Sequence, residues 1–245
     1  MPDRRDHLEP GSIRAFVLCG GLGTRLRAVL SDRPKSMAPV AGVPFLQILL
    51  ERLRAQGIRE VILGTGYLAE QIEEHFGDGS ALGLTISYSR ETTALGTGGA
   101  VKLAEERLSD PALILNGDSY VEWELAPLLA QAQAKNVDLV MALQTVPDIS
   151  RYGSVTVAAD GRITDFVEKG ARTGTGLINA GVYLLRRKIL ADLPNEKPVS
   201  LERDVFPQLL RGSAFGVVSD GLFIDIGVPE DLERAQTLLA SRHSP

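Results

Sequence analysis

The chain has 245 residues, 44% of them hydrophobic and 23% charged, with a formal net charge of −5. That balance suits a soluble globular protein long enough for one large core. It lacks the apolar run of about 20 residues that a transmembrane helix takes, and it lacks the basic surplus that non-specific nucleic-acid binding wants.

Residues 1–12 are polar with no apolar stretch, so they read as a disordered leader rather than a secretory signal, and the folded domain is expected over 13–245. Residues 13–19 form an apolar run that reads as a buried strand. Cys19, at its end, is the one cysteine, so no internal disulfide is possible and a cytoplasmic location fits. The strand breaks into Gly20, Gly21 and Gly23, followed by Thr24, Arg25 and Arg27, with Lys35 directly after Pro34. Glycines let a backbone approach a ligand closely and aim its N–H groups at phosphate oxygens. The cations supply the countercharge. An ordinary strand-to-helix turn with solvated cations would carry the same glycines. The spacing matches neither G-x-x-x-x-G-K-S/T nor G-x-G-x-x-G, because Leu26 stands where the third glycine would be.

Further along, apolar spacing predicts helices over 44–56 and 67–76, stopped by Gly57 and Gly77, and strands over 61–64 and 84–88. A helix over 98–108 and a buried strand over 113–116 follow. The second half reads as strands over 138–146, 153–157, 163–167 and 177–185, with Asp160-Gly161 as a hairpin turn. Helices over 187–193 and 201–210, strands at 217–218 and 222–226, and a closing helix over 229–241 complete it. Strands alternating with helices imply a mainly parallel sheet covered on both faces.

Four more places carry chemistry. Asn116-Gly117-Asp118 ends a buried strand, where open α/β sheets bind ligands and where a carboxylate can hold Mg²⁺ shared with phosphates. A turn aspartate bonding its own backbone is the plainer reading. Asp225 sits inside the apolar run 222–226 and needs a partner, either a metal shared with Asp118 or a buried cation. Glu168 and Lys169 end a strand, suited to sugar hydroxyls and a phosphate, or simply solvated. Gly96-Thr97-Gly98-Gly99 opens a helix, where free N–H groups are expected. The three histidines, His7, His75 and His243, stand outside these places. A reaction without a general base fits: an anionic phosphate monoester attacking the α-phosphorus of a nucleoside triphosphate.

As an ordered set, residues 18–26, Pro34-Lys35, Pro39-Val40, residues 95–98, Asn116-Gly117-Asp118, Arg151-Tyr152-Gly153, Glu168-Lys169, residues 179–181 and residues 225–227 resemble the signature of the sugar-1-phosphate nucleotidylyltransferases. The resemblance implies a single Rossmann-like three-layer α/β/α domain with a mixed, mainly parallel central sheet. It also implies the conversion of a nucleoside triphosphate and a sugar 1-phosphate to a nucleotide sugar and pyrophosphate. By motif, Leu18, Gly20 and Gly21 would meet base and ribose, and Gly23, Thr24, Arg25, Lys35, Gly96 and Thr97 the rest of the nucleotide. Asp118 and Asp225 would bind Mg²⁺. Asn116, Gly117, Tyr152, Gly153, Glu168 and Asn179 would surround the sugar, and Lys169 its phosphate. Within the family, SDRPKSMAPVAGVPFL, LGTGGA and LNGDSY look most like D-glycero-D-manno-heptose 1-phosphate guanylyltransferases. Glu91 suits guanine, since a carboxylate accepts from N1–H and N2–H₂, or is a solvated loop charge. Mannose, glucose and N-acetylmuramate 1-phosphates, other bases, and a non-catalytic regulatory relative stay open, as does the oligomeric state.

Overall fold

The computed structural model describes residues 9–21, 23–26, 29–134 and 137–240. Of the leader expected over 1–12, residues 1–8 lie outside the described part and Pro10–Ser12 form a 3-10 turn. Arg27, His7 and His243 also lie outside it.

The first half runs β1 Arg14–Leu18, β2 Pro39–Val40, β3 Val43–Pro44, α1 Phe45–Ala55, β4 Glu60–Thr65, α2 Ala69–Phe76, β5 Thr85–Arg90, α3 Gly96–Leu103 and β6 Ala112–Asn116. It continues with β7 Ser119–Val121, α4 Leu125–Ala132, β8 Leu139–Val146, β9 Ser154–Val157, β10 Ile163–Val167 and β11 Gly176–Leu185. The chain closes with α5 Lys188–Ala191, a π turn Leu201–Val205, α6 Phe206–Leu209, β12 Ala214–Ser219, β13 Phe223–Asp225 and α7 Pro229–Ala240. The stop after α1 follows from its sequence. Gly57 takes φ +87°, and the Ile58 N–H bonds back to the Leu53 carbonyl at 3.1 Å, closing the helix end.

Among the described residues, nine strands form one sheet. β5, β4, β1 and β6 lie side by side in parallel; β11 follows antiparallel, then β8 and β12. β9 joins the first part of β11, and β10 flanks β9. All but β10 and β11 point the same way, so the sheet is mixed and mainly parallel. Apolar alternation on β1 explains the layering. Ala15 and Val17 face one core with α1, α2 and α4, whereas Phe16 faces the other with α3, α5 and α6. A third cluster joins Phe45, Ile48 and Leu49 of α1 to Tyr120, Ile224, Ala235 and Leu239. It seats α7 and the separate β7–β13 ribbon against the outer side of α1.

Two helices differ from their sequence expectation. The run 98–108 is helical only to Leu103 before a 3-10 turn over Glu105–Arg107. The run 201–210 is a π turn followed by one short α turn, with Pro207 at the start of the latter. Proline there cannot donate to the preceding turn.

Candidate active site

The carboxyl ends of β1, β4, β5 and β6 open into a cavity of about 620 Å³. This is where parallel α/β sheets place their ligands. Of the residues singled out by sequence, Leu18, Gly20, Gly21, Gly23, Arg25, Lys35, Glu91, Gly96, Thr97, Asn116, Gly117 and Asp118 line it. Tyr152, Gly153, Glu168, Lys169, Asn179 and Asp225 stand outside the lining. Thr24 lies in the 3-10 turn Thr24–Leu26, its side chain outside the described part.

One end of the cavity is narrow by construction. A Cβ on Gly20 would sit 2.7 Å from Glu91 Oε1, and one on Gly66 would sit 3.0 Å from the Gly20 carbonyl oxygen. A side chain at either position would crowd the place where the loops after β1 and β4 touch, which suits glycine there. Glu91 is fixed just past β5: its N–H donates to the Thr65 carbonyl at 2.8 Å, and its Oε2 accepts from the Leu95 N–H at 2.7 Å. Burial pushes its carboxyl above the ordinary range, opposed by the Leu95 N–H. Oε1 faces the loop carrying Gly20.

At the other end the glycine loop passes over Lys35. Gly23 has φ +57°, and a Cβ there would lie 3.1 Å from the Lys35 Cβ. The Lys35 ammonium then reaches Asp118 Oδ2 at 2.6 Å and Asp225 Oδ1 at 3.6 Å. Backbone pairing explains how such distant carboxylates meet. Asp118 directly precedes β7, and the antiparallel β7–β13 ribbon sets Asp225 opposite Ser119. The Ile226 N–H closes the ribbon on the Asp118 carbonyl at 2.9 Å. Burial opposes ionisation of Asp118, but Lys35, by charge and hydrogen bond together, holds its carboxyl below the ordinary range. Asp225 is pushed up, first by burial and then by the Asp118 charge.

The buried Asp225 Oδ1 has no hydrogen-bond partner. A cation is the group such an oxygen wants, so the pair fits a divalent metal. Among the described residues no cluster of three or more His, Cys, Asp or Glu side chains forms. A metal here would take two carboxylates from the chain and its other ligands from phosphate and water, as Mg²⁺ does.

The start of α3 departs from expectation. Two of its N–H groups are taken: Gly98 and Gly99 donate to the Val199 carbonyl at 2.8 and 3.3 Å. Thr97 Oγ1 donates to Glu202 Oε2 at 2.7 Å and accepts from the Leu201 N–H at 2.8 Å. The glycines serve close packing of residues 199–202 on α3. A Cβ on Gly96, at φ +70°, would lie 2.6 Å from the Val199 carbonyl oxygen. Sequence reading missed Glu202. The π turn that carries it is a form enriched at functional sites, but it has no sequence signature of its own.

A second patch adjoins Asn116. The β11 register shifts between Asn179 and Tyr183, and Gly181 takes φ +80° there. This bulge re-aims Asn179. Asn179 Nδ2 donates to Tyr183 Oη at 2.8 Å, its Oδ1 accepts from the Gly181 N–H at 2.9 Å, and its own N–H donates to the Gly153 carbonyl at 2.9 Å. Tyr152 meets Phe223 of β13 edge-on, with ring centroids 5.4 Å apart. β10 ends at Val167, so Glu168 and Lys169 lie past the strand, both exposed.

Comparison with known proteins places the chain among nucleotidyl transferases. A family model described as nucleotidyl transferase matches residues 14–242. Over 237 residues the chain is 40% identical to a mannose-1-phosphate guanylyltransferase of Mycobacterium tuberculosis, covering 95% of this chain and 66% of that one. Over 219 residues it is 40% identical to the D-glycero-alpha-D-manno-heptose 1-phosphate guanylyltransferase of Campylobacter jejuni, covering 89% and 96%. The crystal structure of HddC from Yersinia pseudotuberculosis complexed with GMP-PN superposes with a TM-score of 0.82 at 36% identity, over 93% of this chain and 99% of that one.

Proposed function

Because the chain belongs to the nucleotidyl transferase family, we propose that it joins GTP to a sugar 1-phosphate, releasing pyrophosphate and leaving a GDP-sugar. The observation that carries the reading is the meeting of Lys35, Asp118 and Asp225 under the glycine loop, at the carboxyl ends of parallel strands. D-glycero-α-D-manno-heptose 1-phosphate is the first candidate acceptor, since the heptose enzyme matches over 96% of its length and the mannose enzyme over 66%. Mannose 1-phosphate is the second.

The reaction follows from charge. An oxygen of the sugar phosphate attacks the α-phosphorus, the bond from that phosphorus to the bridging oxygen breaks, and pyrophosphate leaves with the electron pair. The attacking oxygen is already anionic, so no base is needed. His75, the one described histidine, lies on α2 away from the cavity lining. Two anions must be brought together, and the chain does so by neutralising and aligning them. Arg25 and Lys35 hold the triphosphate, with Gly20, Gly21 and Gly23 letting the backbone approach it. Leu18 borders the base and ribose, and Glu91 accepts from the guanine N1–H and N2–H₂. Gly96 and Thr97 close the nucleotide side. Asn116, Gly117, Tyr152, Gly153, Glu168 and Asn179 border the sugar, and Lys169 binds its phosphate. Mg²⁺ held by Asp118 and Asp225 would supply further countercharge to the phosphates.

Among the described residues no helix is long and apolar enough to cross a membrane. A cytoplasmic site of action belongs to the same proposal, as does a folded catalytic domain beginning at residue 13. Pyrophosphate release from each of four nucleoside triphosphates against a panel of sugar 1-phosphates tests the reading. GTP with a manno-configured sugar phosphate is expected to lead. A clear preference for UTP or CTP would overturn the guanine assignment, and no pyrophosphate with any sugar 1-phosphate would overturn the reaction.

A further inference from the structure

Of the residues assigned to the sugar 1-phosphate, Tyr152, Gly153, Glu168 and Lys169 sit on two loops, and one buried carboxylate ties both loops down. Asp231 lies in the first turn of α7 with its side chain 3% exposed. Both of its oxygens are paired. Oδ1 accepts from Arg234 on the same helix at 2.9 Å, and Oδ2 accepts from Arg151. The Arg151 guanidinium carbon lies 5.9 Å from the centre of the Tyr152 ring, which itself packs on Phe223 of β13. The same loop holds the next one. The Ser150 carbonyl accepts from the Gly170 N–H at 3.0 Å, directly after Glu168-Lys169, and the Ile149 N–H donates to the Gly174 carbonyl at 3.0 Å.

An acid near a helix start gains its favourable interaction with the helix at the surface as well as in the interior. Burying it carries a desolvation cost that only full pairing offsets. The helix itself does not explain that burial, and the pair with Arg234 stays within α7. The pair with Arg151 leaves it, running from α7 to the loop 148–153 and on to the turn at Gly170.

We propose that Asp231 is a positioning residue: through Arg151 it sets where Tyr152 and the Glu168-Lys169 turn stand relative to Asp225. The inference rests on the sugar-side assignment above. It is tested with the full chain, GTP, and mannose 1-phosphate or the heptose 1-phosphate, in the variants Asp231→Asn, Arg151→Gln, Arg151→Lys and Arg234→Gln. Asp231→Asn and Arg151→Gln are expected to raise KM for the sugar phosphate by about tenfold or more, with KM for GTP within about twofold. Arg151→Lys should recover most of the loss, because it keeps the charge. Arg234→Gln, whose side chain is 64% exposed, should leave both KM values in place. Deuterium exchange reads the anchoring without catalysis: the Gly170 and Ile149 amides should exchange faster in Asp231→Asn and Arg151→Gln and at the wild-type rate in Arg234→Gln. Equal rises in both KM values, unchanged exchange at those amides, or equal damage from Arg234→Gln would each overturn the proposal while wild-type turnover stays intact. Absence of turnover by the wild-type chain with every sugar 1-phosphate would instead overturn the sugar reading and, with it, this use of the anchor.

Discussion

Replacing each carboxylate of the pair by its amide, Asp118→Asn and Asp225→Asn, should cut turnover alike and shift stability in opposite directions. Asp118 accepts a 2.6 Å hydrogen bond from the Lys35 ammonium. Losing a hydrogen bond between charged groups costs about 1.5–3 kcal/mol, and each kcal/mol moves the Tm of a chain this size by about 2–4 °C. Asp225 is different. Its oxygen lies 3.6 Å from the Lys35 nitrogen, and the two carboxylates, meeting at one ammonium, are at most about 6 Å apart. At an effective dielectric near 20, attraction to Lys35 is about 4–5 kcal/mol and repulsion from Asp118 about 3 kcal/mol. The remainder in favour of charge, about 2 kcal/mol, is smaller than the several kcal/mol that burial takes from an ion, in line with the raised carboxyl of Asp225. Asp225→Asn should therefore gain about 1 kcal/mol, a Tm about 2–4 °C higher without metal or nucleotide. Turnover should fall by about 10²–10³ in both variants, the usual loss for one preorganised electrostatic group. Thermal unfolding followed by fluorescence, beside pyrophosphate release, checks both halves. A Tm loss in Asp225→Asn as large as that in Asp118→Asn, or turnover near wild type in either, would refute the argument.

Glu91→Gln should raise KM for GTP about tenfold, the loss of one charged acceptor. In the wild type, KM for GTP should rise as pH falls through the raised Glu91 pKa, because the protonated carboxyl no longer accepts from guanine; the amide variant should lack that limb. Steady-state kinetics between pH 4 and 8, with stability monitored in parallel, reads this, and an unchanged limb in Glu91→Gln would assign it elsewhere. Lys169→Ala should weaken use of the sugar phosphate far more than use of GTP; equal losses would contradict its role. Gly64→Ala should lower Tm without touching nucleotide preference. Its Cβ would sit 2.5 Å from the buried Phe16 ring between β1 and β4, and overpacking of that kind costs about 1–3 kcal/mol.

The layered sheet and most of the cavity were legible because each rests on a local pattern. The apolar run 13–19 ending in glycines located β1 and the loop over Lys35, and Asn116-Gly117-Asp118 located the end of β6. The ribbon was half legible. β13 was readable as an apolar run, but β7 and the Pro39–Pro44 hairpin are two or three residues per strand, too short for any periodicity to register. α4 went unread for another reason: its sequence LAPLLAQA is apolar on nearly every face, so no helical stripe stands out. The partner of Gly98 and Gly99 on α3 is not legible, because what takes their N–H groups is Val199, about a hundred residues further on, and no local pattern reports a partner at that distance. Asp231 was hidden in the same way, its importance resting on Arg151 eighty positions earlier.

The β7–β13 ribbon has a consequence for how the protein comes into being. A ribosome delivers the nine strands of the main sheet, ending with Ser219, before it delivers Asp225. Domains begin to fold while synthesis continues, but Ser219 and Asp225 are only six positions apart, so β12, the last strand of the sheet, and the second carboxylate facing Lys35 leave the exit tunnel almost together. Sheet and carboxylate pair are then finished in the same late step, when β12 lies along β8 and β13 along β7, and a ribosome stalled before that point would hold a chain that lacks both.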